Sequence, residues 1–442
     1  MDISFSKLFA NVSSFTLFLT ISFIILTILY FNNNNNNSFA IENEHIKNGN
    51  EFNIIATADV GCSDRAKENI KNIEKLQPEL FLVAGDLSYE ETPDCWFNMT
   101  KTLDLKTKIA IGNHENYEQE GERGEILKNS YLDYYGLDKS YYSFDYQNVH
   151  VLVLDTQLEL SVDTLVLTAI INETTNIDIT KKELKDGKED KSDLKSKDKE
   201  PLLERFPLID LETFLNENSI DIEIPELEKL IEANAKVPSL DIDEKQYHFV
   251  LDDLEKTSQN KDIDWIIVMF HKPIYSSLSS HIQEYIMRDK YQPVFDKYGV
   301  DIVLQGHNHL YDRTLPLQFN PYNISNPIVD ESNNTNKFFN PEGSIYSVIG
   351  LGGRSSYIIL NQPNYVVKQY NDGFGFLNID INGKELDAKY YDIGYKCKKE
   401  ELKEDDLEEG DFTIFDMSSC KKDNKNKDSL ELIDHYTIHK VS

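Results

Sequence analysis

Leu80-Phe-Leu-Val-Ala84 runs directly into Gly85-Asp86-Leu87-Ser88-Tyr89. A short apolar run bounded by a glycine reads as a buried strand, and Asp86 and Tyr89 fall just past its carboxyl end. The arrangement recurs four more times along the chain. Asn53–Thr57 precedes Asp59-Val-Gly61, and Lys108–Ile111 precedes Gly112-Asn113-His114-Glu115. Trp265–Phe270 ends at His271, and Ile302–Leu304 precedes Gly306-His307-Asn308-His309. In open α/β sheets ligands bind just beyond the carboxyl ends of the strands, so these side chains are expected to converge on one sheet edge. Their mixed oxygen and nitrogen donors suit iron, zinc or manganese and argue against a thiolate site.

The ordered set resembles the calcineurin-like metallophosphoesterase superfamily, and Tyr89 points to its purple acid phosphatase-like branch. The resemblance covers roughly Asn53 to Tyr391, apart from one long insertion. One such motif is weak evidence, whereas five in order, each at a strand end, are specific. The resemblance implies an α/β fold: a two-sheet β-sandwich flanked by helices, with the metal site at the strand C-terminal ends. It implies hydrolysis of phosphate monoesters of small molecules or proteins at two metal ions, with a hydroxide held on the metals as nucleophile. The ions would be Fe3+ with Zn2+, Mn2+ or Fe2+, or two divalent ions. No Ser or Cys nucleophile is then required, and no G-x-S-x-G elbow is present.

Residue by residue, the resemblance assigns Asp59, Asp86, Tyr89 and His309 to the first ion. It assigns Asp86, Asn113, His271 and His307 to the second, with Asp86 bridging. His307 and His309 lie two apart in an extended segment, and a turn at Gly306 can re-aim them. His114 is not a ligand in the family pattern and is expected beside the phosphate or the leaving oxygen. His281, ten residues after His271, is expected to face the substrate. Either histidine is a candidate general acid, although His281 follows a Ser-rich stretch and reads equally as a solvated side chain. A Tyr89 phenolate favours trivalent iron; the other reading is a tyrosine packed beside two divalent ions. Asp155 is expected to support the site from behind its ligands. His248 and His439 read as packing or solvated residues.

Two departures bear on these expectations. Ala58 stands before Asp59 where the family has glycine, and only Ile41–Glu51 precedes the first strand, so the β-sandwich that larger plant-type members place there is not expected. Protein Ser/Thr phosphatases carry Asp-Arg-Gly after the second motif; Glu90-Glu91-Thr92 stands here and disfavours that activity. A phosphodiesterase using the same metals, and a non-catalytic acidic cell-surface protein with a vestigial site, remain the alternatives.

Charge narrows the partners. The chain has 442 residues, is 40% hydrophobic and carries a net charge of −32. Nucleic acid is therefore not an expected partner, and anionic membrane surfaces are poor ones, because their phosphates are repelled. Anionic substrates are also repelled at long range, so turnover of a phosphate ester needs local cations.

The segment 1–40 stands apart from the fold. Phe15–Phe31 is apolar for 17 residues and leads into the Asn32–Asn37 tract and Ser38-Phe39-Ala40. It fits a cleaved signal peptide or a retained membrane anchor through 15–31. Both place the catalytic domain outside the cytoplasm, secreted or lumenal in one case and tethered by a single pass in the other. N-x-S/T sequons at Asn98, Asn172, Asn323 and Asn333 agree with export, though an Asn-rich chain also makes sequons by accident. Four cysteines allow two disulfides in three connectivities. Adjacent parallel strands would bring the loops of Cys62 and Cys95 together, which leaves Cys397 with Cys420; reduced, buried thiols are the alternative.

Residues 50–394 form the expected catalytic domain. Helices are expected over Asp64–Leu76, Glu125–Tyr134, Gln246–Lys256 and Asp289–Tyr298. Strands are expected over Tyr141–Tyr146, Val149–Leu154 and Ser344–Ile349, with a hairpin of Phe374–Ile381 and Glu385–Tyr391 across Asn382-Gly383. An acidic insertion, 158–244, interrupts the pattern. Within it Lys181–Glu200 carries 15 charged residues in 20 and is expected to be disordered, while Pro225–Ala233 allows a short amphipathic helix. The insertion reads as a passive surface loop or as a partner-binding arm or lid. An acidic extension, 395–442, is expected to end in a strand.

Overall fold

The computed structural model describes residues 51–116, 122–158, 243–281, 283–331, 335–397, 420–422 and 430–441. The first half of the chain alternates strand and helix: β1 (Glu51–Thr57), α1 (Asp64–Lys75), β2 (Leu80–Val83), α2 (Asp94–Thr100), β3 (Thr107–Ile109), α3 (Glu122–Tyr135), β4 (Tyr142–Tyr146) and β5 (Val149–Val153). After the insertion come α4 (Asp243–Ser258), β6 (Trp265–Met269), α5 (Tyr285–Tyr298), β7 (Ile302–Gln305), β8 (Tyr311–Gln318), β9 (Ile328–Val329), β10 (Lys337–Phe339), β11 (Ser344–Ile349) and β12 (Val366–Tyr370). The chain closes with β13 (Gly375–Asn382), β14 (Glu385–Asp392), β15 (Tyr395–Cys397), β16 (Cys420–Lys422) and β17 (Glu431–His439).

Two large sheets result. One has the order β10-β17-β14-β13-β1-β2-β3, the other β12-β8-β11-β7-β6-β5-β4, with β9 beside β8. Strands β1, β2 and β3 are parallel, as are β5, β6, β7 and β11. The period-2 alternation of side chains explains the layering. On β6, Trp265, Ile267 and Met269 join β1, β2, β5 and β7 residues in the core between the sheets. Ile266 and Val268 point the other way, onto Val250 and Leu254 of α4 and Tyr291, Val294 and Phe295 of α5. Burial on both faces is why these strands read as unbroken apolar runs. Such burial contributes about 1.5–3 kcal/mol per large side chain.

Helix α1 packs through Ala66, Ile70 and Ile73, and the Ser63 hydroxyl caps it by accepting the Ala66 N–H. Its buried Asn69 donates to the carbonyls of Gly352 and Gly375, fixing the glycine-rich loop after β11. Helix α5 begins at Tyr285, four residues before the position expected from its apolar pattern. Tertiary contacts hold that extra turn: the buried Arg288 guanidinium donates to the Ile274 carbonyl through Nε (2.8 Å) and to the Ile324 carbonyl through Nη1 (2.8 Å). The left-handed Gly299 ends the helix.

The expected terminal strand is β17, and it lies inside the first sheet between β10 and β14. Its Asp434 takes Arg313 of β8 in a buried pair at 2.6 and 3.0 Å, which ties one sheet to the other. Cys62 pairs with Cys95, and Cys397 with Cys420. No helix of the described residues is long and apolar enough to cross a membrane. The segment 1–40, Lys181–Glu200, Pro225–Ala233 and most of both the insertion and the acidic tail lie outside the described residues.

Candidate metal centre

The ends of β1, β2 and β3 in one sheet meet those of β6 and β7 in the other, so the loops carrying the candidate ligands converge from two sheets and not along one sheet edge as expected. Two donor clusters form. In the first, the Tyr89 hydroxyl lies 3.0 Å from Asp59 Oδ1 and 3.0 Å from His309 Nε2. In the second, His271 Nε2 lies 2.8 Å from Asn113 Oδ1 and 3.4 Å from Asp86 Oδ1. Donor atoms of Asp59, Asp86 and His271 all fall within 4.8 Å of one another, which joins the clusters. The His307 ring stands 5.1 Å from that of His271, and its backbone N–H donates to Asp59 Oδ2 at 2.9 Å. The structure thus brings together all seven residues expected as ligands.

Reaching this arrangement strains the backbone. Asp59, Asp86, Tyr89 and His307 all have φ between 54° and 70°. Such a conformation costs roughly 1–3 kcal/mol for a non-glycine residue and concentrates at functional sites. Glycines permit the close approach: a Cβ on Gly112 would sit 2.0 Å from Asp86 Oδ1, and one on Gly85 2.6 Å from His271 Nδ1. The unusual Ala58 is accommodated in the same way. Its methyl group fills the space beside Gly306, where a second Cβ would approach to 2.7 Å.

The ligand rings are aimed by their outer contacts. His271 Nδ1 donates to the Ala84 carbonyl at 2.8 Å, leaving Nε2 to face the cluster. His309 Nδ1 lies 2.5 Å from Ser355 Oγ, and Tyr357 stacks on its ring at 4.1 Å. Asn308, between the two histidines, donates to the Ser276 hydroxyl and the His281 carbonyl and accepts the His281 N–H. This places the His281 ring 3.8 Å from that of His307, stacked upon it. His114 stands at the mouth, one-third exposed, with Nε2 3.9 Å from Asp86 Oδ2 and its ring 4.3 Å from that of Tyr89. Asp155 contacts Lys128 of α3 at 2.6 Å and, through its N–H, Gln246 of α4 at 2.8 Å. It thereby anchors two helices to the end of β5. His248 is exposed, and His439 stacks on Phe339.

Glu115 was not singled out by the sequence beyond its place in the third motif, yet it organises the site. Fully buried, it accepts the N–H groups of Asp86 (2.9 Å), Leu87 (2.8 Å) and Gly112 (3.1 Å). Two ligand-bearing loops are bound to one carboxylate. Ser355 and Tyr357 were missed as well, because the Gly350–Gly353 run reads only as the end of a strand.

The electrostatics call for cations. Burial works against a charged His271, but the Asp86 carboxylate outweighs it and pushes the imidazole up to about 9. Burial likewise opposes ionised Asp86, and His271 and His114 overcome it, holding the carboxyl well below its usual range. The metal-free site thus carries a proton where a cation fits. Burial, then the charges of Asp59 and Asp86, keep the Tyr89 phenol well above its ordinary value. Burial and the Asp86 charge push Glu115 up to about 8. Its three N–H partners suit the ionised form, which positive charge at Asp86 would restore. Carboxylate, amide, imidazole and phenol donors converging around Asp86 fit two borderline metal ions.

Residues 52–311 match the sequence profile of the calcineurin-like phosphoesterases. Among known proteins, purple acid phosphatase 1 of Ipomoea batatas is 34% identical over 144 residues, covering 30% of this chain and 28% of that protein. The Fe(3+)-Zn(2+) purple acid phosphatase 12 of Arabidopsis thaliana is 34% identical over 144 residues, with the same coverage. An acid phosphatase of Aspergillus ficuum is 34% identical over 135 residues, 30% of this chain and 20% of that one. The matched stretch therefore spans less than a third of these relatives. Among solved structures, the purple acid phosphatase PPD1 from yellow lupin seeds aligns with 88% of this chain and 54% of its own, at 15% identity and a TM-score of 0.49.

Proposed function

Because the chain belongs to the calcineurin-like phosphoesterase family, we propose that it hydrolyses phosphate monoesters at two metal ions. Asp59, Asp86, Tyr89 and His309 would hold the first ion, and Asp86, Asn113, His271 and His307 the second. The observation that carries this reading is the pair of donor clusters joined at Asp86. Two ions bound there supply Lewis acidity toward phosphoryl oxygens and lower the pKa of water. The pair is Fe3+ with Zn2+, Mn2+ or Fe2+, or two divalent ions; the name of the Arabidopsis relative supports the first. Asp86 and Asn113 are kept in place by Glu115, and His309 by Ser355 and Tyr357.

His114 is the group best placed to give a proton to the leaving oxygen, since its Nε2 is at the mouth and lies beside Asp86 without joining either donor cluster. His281 backs His307, its ring stacked on that candidate ligand. A vestigial site is disfavoured because all seven ligand side chains are in place. Export to a secreted or lumenal compartment is supported by the two disulfides. It is also supported by exposure of sequon residues Asn98 and Asn323; those at Asn172 and Asn333 lie outside the described residues. The test compares phenyl phosphate with diphenyl phosphate, before and after chelation and with Fe, Zn or Mn restored. Metal-dependent turnover favouring the monoester is expected. Chelator-resistant turnover, or faster cleavage of the diester, would overturn the reading.

A further inference from the structure

The loop Gly350–Tyr357, which follows β11, lies over the first donor cluster and is fixed at both ends. The Gly352 N–H donates to the Ala58 carbonyl at 2.9 Å, and the Arg354 N–H to the Asp59 carbonyl at 3.0 Å. Beyond Arg354, Ser355 meets His309 Nδ1, and the Tyr357 N–H donates to the His309 carbonyl at 2.9 Å. The Arg354 backbone is therefore set by the same segments that carry Asp59 and His309.

Its side chain is exposed and extends over Tyr89, with the guanidinium carbon 4.9 Å from the ring centroid. That ring is flanked by two groups at the mouth, His114 and Arg354. Among the described residues, no carboxylate lies within ion-pair distance of this guanidinium. In a chain with 77 acidic and 45 basic residues, an idle arginine would be expected to find an acid. This one lies instead on the aromatic ring of a candidate ligand, held by a cation–π contact. With its guanidinium carbon 4.9 Å from the ring centroid, it sets a positive charge beside a candidate ligand, within reach of an anionic group next to a phosphate held at the site.

We propose that Arg354 makes the site selective for phosphomonoesters that carry a second anionic group close to the scissile phosphate. The proposal rests on the phosphomonoesterase reading above and specifies its substrate class. A guanidinium binds carboxylate or phosphate oxygens through a planar fork of N–H donors. Here it also counters, locally, the long-range repulsion that a net charge of −32 imposes on dianionic and trianionic substrates.

The experiment compares phenyl phosphate with 3-carboxyphenyl phosphate in the metal-loaded wild type, Arg354→Ala and Arg354→Lys. Calorimetric titration with phenylphosphonate and 3-carboxyphenylphosphonate measures binding without turnover. A charge-assisted contact at an exposed site is worth about tenfold. Arg354→Ala should therefore lower kcat/KM and phosphonate affinity for the carboxylated compound roughly tenfold more than for its parent, and Arg354→Lys should restore part of the difference. An unchanged ratio between the two compounds in Arg354→Ala overturns the proposal. If neither ester is hydrolysed, the phosphomonoesterase reading falls; a carboxylate preference in phosphonate binding that disappears in Arg354→Ala would then still uphold the role of Arg354.

Discussion

Glu115→Gln separates the stability of the fold from the stability of the metal centre. In the metal-free protein the Glu115 carboxyl is pushed up to about 8, so at pH 6 it carries a proton and glutamine imitates it. Stability without metal should therefore change by less than about 1 kcal/mol, the ordinary spread for a near-isosteric change. Cations at Asp86 remove the repulsion and leave Glu115 ionised, accepting three N–H groups. Glutamine keeps one acceptor oxygen, which at the Oε2 position retains the Asp86 and Gly112 bonds. Its NH2 group then faces the Leu87 N–H, orphaning a buried donor at about 1–3 kcal/mol. The retained bonds also fall from charged to neutral strength, about 1 kcal/mol each. This loss, about 3–5 kcal/mol together, falls on the loaded state alone, so metal dissociation constants should rise roughly 10²–10³-fold or more.

Proton counting gives a second readout of the same substitution. Metal binding should release protons from both Glu115 and His271, whose raised values are about 8 and about 9. Affinity in the wild type therefore increases with pH up to about 9. Glu115→Gln should release about one proton fewer, measured by titration calorimetry in buffers of different ionisation enthalpy. Unchanged metal affinity together with unchanged proton release would refute this account of Glu115.

His114→Ala should leave metal content intact and lower kcat roughly 10²–10⁴-fold; loss of metal or an unchanged kcat would count against its role as the proton donor. Tyr89→Phe should bleach a visible phenolate-to-iron band if Fe3+ occupies the first position, and an iron-loaded wild type without such a band would exclude phenolate ligation. Stability should rise on mild acidification, for two reasons. Burial pushes Asp312 up to about 7, so the folded chain keeps a proton that the unfolded chain has lost, and stability falls as pH rises from about 4 to about 7. Burial disfavours charged His150, but Asp253 and Asp145 (2.8 and 2.6 Å) raise it, so its contribution is full below 6.5 and is lost as pH rises through the folded value. With metal removed by chelation, denaturant midpoints should be higher at pH 5 than at pH 7.5, and Asp312→Asn should flatten the profile; an identical slope in that variant would contradict the assignment.

Strands buried on both faces were legible because their composition alone marks them, as β2, β6 and β7 illustrate. The polar residues following them were legible because a chain leaving such a strand must place its next side chains at the sheet edge. Strand β8 was not legible. Asp312, Arg313 and Thr314 break any apolar pattern, and their burial is permitted only by distant partners: Ser277, Asp434 and the Tyr346 N–H. Short α2, which the Cys62–Cys95 bridge ties to the loop after β1, has too few turns to show a period. At the site, residues that accept or donate toward the candidate metals were found, whereas those that hold them were not. Most partners of Glu115, Asn308 and Ser355, such as the Asp86 N–H, the His281 carbonyl and His309 Nδ1, are distant in sequence and brought close only by folding.

The most direct test of the central claim is metal content per chain, measured alongside phenyl phosphate turnover, in the wild type and in Asp86→Ala. One carboxylate serving both clusters predicts two metal ions per wild-type chain, and loss of both ions and of turnover together in the variant. A variant that keeps two ions, or an active wild type that holds none, would contradict it.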